Sequence, residues 1–215
     1  MATQRFEHRS VSEWVYANAP TAPVHPGYTP VAIFHDRKPK GVGTLLVRNG
    51  GKIVITASHI FRFSSGYGYW TYRTPHDLIP RMYPIENAVQ LGDLDIAVCA
   101  TPTEIYCPYF RGHSLGDEEA LCAEKLSRAS VALGHGQRFT SLVTGEIYIC
   151  LGIRVLGDES LYVIKKNNTT PGESGSGYID DTGKLYVLSM GLSSAPNVPS
   201  TAAIILPIPD FQTAT

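Results

Sequence analysis

No apolar run in this chain outlasts a single strand, and almost every run is bounded by turn residues. From Val31 the sequence reads VAIFHD, RKPKG, VGTLLVRN, GGK, IVITAS, a succession of short β-like segments broken by Gly, Pro, Asn and Lys. Asn49-Gly50 supplies the positive φ angles of a tight hairpin turn. It predicts that Val42 to Arg48 and Ile53 to Thr56 are antiparallel neighbours. The same texture returns after residue 128 in ASVALG, FTSLVTGEIYICLG, SLYVIKK, KLYVLSMGL and TAAIILPI. The 20 Gly, 15 Pro and 12 Tyr fit a fold with many turns and few long helices.

So many short apolar strands would leave exposed edges in open sheets, and closing the sheets removes them. The expectation is therefore an all-β chain of two antiparallel β-barrels, about six strands in each. Residues 1–28 form an N-terminal extension with a short helix marked by Val11, Trp14 and Val15. Residues 29–108 form the first barrel, with the aromatic excursion at 62–86 holding one strand near Tyr69 to Arg73. Residues 109–128 connect the halves, 129–210 form the second barrel, and 211–215 are a tail.

A formal charge of −1 argues against nucleic acid as a main partner, and Arg37, Lys38 and Lys40 read as a solvated turn. No run approaches the roughly 20 apolar residues of a membrane span. Cys99, Cys107, Cys122 and Cys150 form no CxxC motif, and MATQRFEHRS has no signal-peptide core. Reduced thiols, no disulfide-linked partner and a cytoplasmic location are expected, with Cys99 and Cys150 in the core. His113 and His135 lack partners at metal-ligand spacing, so neither a metal nor a cofactor is called for.

Three distant residues supply a chemistry. His59 follows the apolar strand IVIT by three positions, Asp95 opens the apolar run IAVC, and Ser174 lies in TTPGESGSGYID, residues 169–180. A serine hydroxyl attacks poorly unless a base takes its proton. An imidazole suits that task, and a carboxylate fixes the imidazole's tautomer and stabilises the imidazolium. Gly172 and Gly175 let the main chain curl, so that the amides of Gly172 and Ser174 converge as an oxyanion hole.

The segments GVGTLLV…IVITASH, DIAV and PGESGSG, in that order, resemble the chymotrypsin-like serine proteases over about Val31 to Pro209. The resemblance implies a chymotrypsin-like double barrel with His59 as base, Asp95 as its carboxylate partner and Ser174 as nucleophile. Asp93 is the rival carboxylate, without the Ile-Ala-Val that follows Asp95. Ser58 replaces the family's usual alanine before the histidine, a change expected to be harmless. Glu173 stands where digestive enzymes carry an aspartate that pairs with a processed N-terminus. The short loops and lack of a disulfide framework look most like proteases encoded in positive-strand RNA virus polyproteins, of the sobemovirus and arterivirus kind.

If the resemblance holds, Asn168, Thr169 and Thr170 form one wall of the primary specificity pocket, and Leu188, Ser189, Met190 and Gly191 the other. Asn168 gives no counter-charge for Lys or Arg. Leu188 stands where Gln/Glu-specific relatives carry histidine, so an aromatic, aliphatic or mildly polar residue is expected before the scissile bond. The main chain at Ser189 and Gly191 would pair with an extended substrate. The implied activity is serine endopeptidase action on polypeptide, such as polyprotein cleavage sites in a host-cell cytoplasm. The alternatives are a bacterial or organellar housekeeping protease, or an inactive peptide-binding module on the same scaffold.

Overall fold

The computed structural model describes residues 25–48, 51–63, 69–75, 82–85, 87–90, 94–100, 130–133, 136–156, 159–165, 172–192 and 202–208. The expected N-terminal helix, the Asn49-Gly50 turn, the connection at 109–128 and the tail lie outside these residues. So do Tyr67, Asp93, Cys107, Cys122, His113, His135 and the pocket positions Asn168, Thr169 and Thr170.

Among the described residues the chain forms two antiparallel sheets of seven strands each. The first contains β1 (Tyr28–His35), β2 (Lys38–Arg48), β3 (Gly51–Thr56), β4 (Trp70–Arg73), β5 (Tyr83–Ile85), β6 (Asn87–Gln90) and β7 (Ala97–Ala100), in the order β5-β4-β1-β2-β3-β7-β6. The predicted β2–β3 hairpin is present, in register from Gly43 opposite Thr56 to Arg48 opposite Gly51. The two edge strands, β5 and β6, are separated in the chain by one residue, which brings the sheet's edges close to one another.

The second sheet contains β8 (Ser130–Leu133), β9 (Arg138–Ser141), β10 (Ile147–Leu156), β11 (Glu159–Lys165), β12 (Gly177–Asp180), β13 (Leu185–Leu192) and β14 (Ala202–Pro207). Its order is β11-β14-β13-β12-β9-β10-β8, and β11 also pairs with β10. That last pairing closes a ring of six strands, with β8 as an extra strand on β10. Two sheets of seven strands replace the expected two barrels of six. The difference has a local origin in each half. The 62–86 excursion yields β4 and β5 rather than one strand, because Tyr72 is buried against Tyr83 across the pair (ring centroids 5.2 Å apart). In the second half, FTSLVTGEIYICLG divides into β9 and β10 at a turn where Ser141 Oγ accepts from the amides of Val143 and Thr144, each at 3.2 Å.

β1 is buried on both faces. Val31 and Ile33 join the core of the first sheet with Val54, Ile55, Ile96 and Cys99, while Ala32 and Phe34 pack with Val42 and Val143 of the second half. The first core also takes in Leu142, Leu185 and Val187, so the halves share a continuous apolar seam. The second core is more aromatic. Phe139 and Tyr186 meet edge to face at 4.8 Å beside Tyr178, Ile164, Leu188, Ile205 and the buried Cys150. No helix among the described residues is long and apolar enough to cross a membrane.

Candidate active site

At the end of β3 the chain turns at Ala57 into a short 3-10 helix, Ser58–Phe63, which carries His59 at the seam. Thr56, whose side chain would be an unsatisfied polar group in this core, donates its hydroxyl to the Val42 carbonyl at 2.7 Å. Asp95 enters from the turn before β7 and is only 6% exposed. Its Oδ2 lies 2.7 Å from His59 Nδ1, and its Oδ1 accepts the His59 main-chain N–H at 2.9 Å. Ser189 on β13 donates to Oδ2 at 2.7 Å, and Ser58 donates to Oδ1 at 2.7 Å. Four donors thus surround one carboxylate, two on each oxygen.

A buried carboxylate without partners would take up a proton. Burial does push the Asp95 carboxyl upward. The His59 ring, by hydrogen bond and by charge, and then the Ser189 and Ser58 hydroxyls outweigh it and hold the group below the ordinary carboxylate range. Asp95 therefore stays ionised and accepts from Nδ1–H, which leaves Nε2 as the ring nitrogen able to take a proton.

Ser174 lies on the loop between Gly172 and β12. Its carbonyl accepts the Val42 amide at 3.1 Å, and the next amide, of Gly175, donates to the Leu188 carbonyl at 2.8 Å. The loop is thereby fastened to β2 of the first sheet and β13 of the second. Gly172 and Gly175 have φ of +97° and +88°, which side-chain-bearing residues rarely adopt. A Cβ at position 175 would run into the Val42 carbonyl and the Thr56 hydroxyl, and would stand 3.0 Å from the Ala57 nitrogen, two residues before His59. So the glycine is needed twice over, for its φ and for the close approach that brings the serine loop against the histidine segment. Behind the loop, Ser176 donates its amide and hydroxyl to the Glu173 carbonyl at 3.0 and 2.7 Å. Among the described residues no hydrogen bond joins the Ser174 hydroxyl to the imidazole, as is common before substrate closes a site.

The Asp95 carboxylate contacts His59, Ser58 and Ser189, and the Ser174 loop packs beside the histidine segment. The arrangement supports a serine endopeptidase. Leu188 is fully buried in the second core, and it contributes main-chain bonds to Gly175 and Ser176. The main chains of Met190 and Gly191 continue β13 opposite β14. Tyr69 of the aromatic excursion is 85% exposed, whereas Trp70 packs against His35 and Phe61. No group of three His, Cys, Asp or Glu among the described residues could hold a metal.

Two features escaped the sequence reading. Ser58, expected to be a harmless substitute for alanine, is a buried donor to Asp95. Ser189, expected to line the primary pocket and to offer main-chain groups to substrate, uses its hydroxyl on the same carboxylate. The usable signal was a polar residue interrupting an apolar strand. Ser189 lies where the β13–β14 register shifts, and its bond to Asp95 turns it toward the first sheet.

No protein-family model matches the chain, and no curated protein matches it. Among solved structures it is similar to an HtrA-type protease, AlgW with a decapeptide (TM-score 0.49, 11% identity), over 89% of this chain and 63% of that one. It is also similar to the MamO protease domain from Magnetospirillum magneticum (TM-score 0.42, 13% identity), over 84% of this chain and 91% of that one. An inactive mutant form of Rv3671c from M. tuberculosis gives a TM-score of 0.46 at 16% identity, over 91% of this chain and 85% of that one. The chain thus spans less than two thirds of the AlgW chain. These overlaps are loose, and the chemistry of the site rests on the geometry above.

Proposed function

We propose that the protein is a serine endopeptidase in which Ser174 is the nucleophile. Ser58 and Ser189 cannot take that part. Their hydroxyls are buried, donate to Asp95, and lie on the carboxylate side of the imidazole. Ser174 attacks the scissile carbonyl as His59 Nε2 accepts its proton, and the amides of Gly172 and Ser174 receive the developing oxyanion. His59 then protonates the leaving amine, and a water deprotonated by the same nitrogen releases the acid and restores Ser174. The observation that carries this reading is the 2.7 Å contact between Asp95 Oδ2 and His59 Nδ1, next to a loop that only glycine at 175 allows.

The test is labelling with a fluorophosphonate probe. The wild-type chain takes the label, Ser174→Ala takes none, and His59→Ala reacts at least 100-fold more slowly. Labelling that survives Ser174→Ala overturns the nucleophile. A folded wild-type chain that binds peptides yet never labels is the inactive peptide-binding module instead.

The substrate is an extended polypeptide pairing with the main chain of Ser189 and Gly191, with Asn168, Thr169, Thr170 and Met190 shaping the pocket. Cleavage after a non-basic residue follows from Asn168, and a peptide-library profile dominated by Lys or Arg would refute it. Processing of a viral polyprotein rests on the sequence resemblance. The solved structures include proteases from two bacteria, the setting of the housekeeping alternative.

A further inference from the structure

The structure assigns Ser58 the role of a positioning residue, one that fixes the catalytic carboxylate through a donor that an alanine at this place cannot supply. The inference rests on the serine endopeptidase reading above. Ser58 grips Asp95 at two points: its amide donates to the Asp95 carbonyl at 3.3 Å, and its hydroxyl to Oδ1 at 2.7 Å. The same Oδ1 accepts the His59 amide, while Oδ2 accepts the imidazole and Ser189. Remove the Ser58 hydroxyl and Oδ1 keeps one of these donors against two on Oδ2.

Two consequences follow. The first is orientational. Donors on both oxygens prevent the carboxylate from rotating about its Cβ–Cγ bond, so Oδ2 stays aimed at Nδ1. The second is electrostatic. Ser58 is fully buried, so its hydroxyl acts where water does not compete, and a hydrogen bond to a charged group there is stronger than a neutral one. The groups hydrogen-bonded to this carboxylate come from the 3-10 helix (Ser58, His59) and from β13 (Ser189), and His59 is the titratable one among them. With one donor fewer, the anion is less stabilised. Asp95 is then held less firmly in its ionised form.

The experiment compares wild type, Ser58→Ala and Ser58→Cys for fluorophosphonate labelling, for kcat and KM, and for the pH dependence of kcat/KM. Both variants are expected to label at Ser174. In Ser58→Ala, kcat falls roughly 5- to 50-fold with KM nearly unchanged, as expected for loss of a charge-assisted hydrogen bond. The acidic limb of kcat/KM moves to higher pH, because Asp95 is held less firmly in its ionised form. Ser58→Cys, near in size and a weak donor, falls between. A folded Ser58→Ala with kcat within twofold of wild type and an unmoved acidic limb reduces Ser58 to packing and overturns the assignment. Abolished labelling in folded Ser58→Ala makes Ser58 the nucleophile and overturns it too.

Should Ser58→Ala not fold, Ser58→Cys carries the same comparison. The downfield proton resonance of the Nδ1–H bound to Asp95 gives a readout that needs no turnover. Its chemical shift must move in the variant, and an unchanged shift overturns the proposal. If that resonance moves while the wild type never labels, the endopeptidase reading fails and the hold on Asp95 stands.

Discussion

The carboxylates of Asp95 and Asp180 each accept four hydrogen bonds, and almost everything else about them differs. Asp180 takes its donors from the turn that it begins: the Thr182 amide at 2.9 Å, the Thr182 hydroxyl at 2.6 Å, the Lys184 amide at 3.0 Å and the Tyr186 hydroxyl at 3.0 Å. None is more than six residues away. Asp95 takes its donors from 36, 37 and 94 residues away. Around Asp180 the chain satisfies its own turn between β12 and β13, with Gly183 at φ +81° completing it. Around Asp95 two sheets must already be packed before the last donor, Ser189, arrives. The same count of bonds therefore organises a hairpin in one place and a reaction centre in the other.

Neutralising each aspartate separates these roles. Asp95→Asn should lower kcat by about 10⁴-fold with little change in KM, because an amide can turn its NH₂ toward the ring and favour the wrong imidazole tautomer. Steady-state kinetics on a peptide substrate measure this directly. A loss under tenfold would mean that Asp95 does no more than Asp180 does. Asp180→Asn should leave kcat unchanged and destabilise the fold by about 1 kcal/mol, seen as a lower urea midpoint at constant slope.

The pH dependence of stability has the same sign at both positions. Burial pushes each carboxyl upward. At Asp180 the Thr182 hydroxyl, the Lys184 amide and the Tyr186 hydroxyl reverse this, and at Asp95 the His59 ring and two serines do so. Both end below the ordinary value. Their stabilisation is fully present above a pH of about 4, where the unfolded carboxyls are already ionised, and is lost as pH falls through the folded values. Unfolding at pH 3 relative to pH 7 should therefore be less acid-sensitive in Asp180→Asn than in wild type. An identical acid dependence would show that the turn contributes nothing through its charge.

The contrast also explains what could be read beforehand. Asp180 and its neighbours Thr182 and Gly183 announce a turn within a few letters, as Asn49-Gly50 announces the β2–β3 hairpin. The meeting of His59 with Asp95 was legible because one follows an apolar strand and the other opens an apolar run, where the local pattern is informative. The strand count was not. β4, β5 and β6 are three or four residues long, too short for alternation to be distinguished from loop; β4 and β5 pair through the Tyr72–Tyr83 contact, and β6 forms against β7. Nor was the use of the Ser58 and Ser189 hydroxyls. A buried serine looks the same in sequence whether it caps its own backbone, as Ser176 does, or reaches a carboxylate on another segment.

The β1–β2 turn mixes the two kinds of region, and it gives the smallest expected effect. Asp36 and Arg37 have φ of +47° and +66°, a left-handed pair that Asn-Gly or Asp-Gly would adopt with less strain. The local rule is broken here while a tertiary contact is made. The Asp36 amide donates to the Tyr69 carbonyl at 3.0 Å, and Asp36 Oδ1 accepts the Tyr69 amide at 2.9 Å, tying the turn to the start of β4. Asp36 is therefore held by its partner, whereas Arg37 has only the strain. Arg37→Gly should relieve roughly 1 kcal/mol of left-handed strain and lose about half of it again to the greater freedom of glycine in the unfolded chain. Thermal unfolding should rise by about 1–2 °C with activity unchanged. A fall in midpoint would mean that the Arg37 side chain holds this turn through tertiary contact as Asp36 does, and the turn would then belong with Asp95 rather than with Asp180.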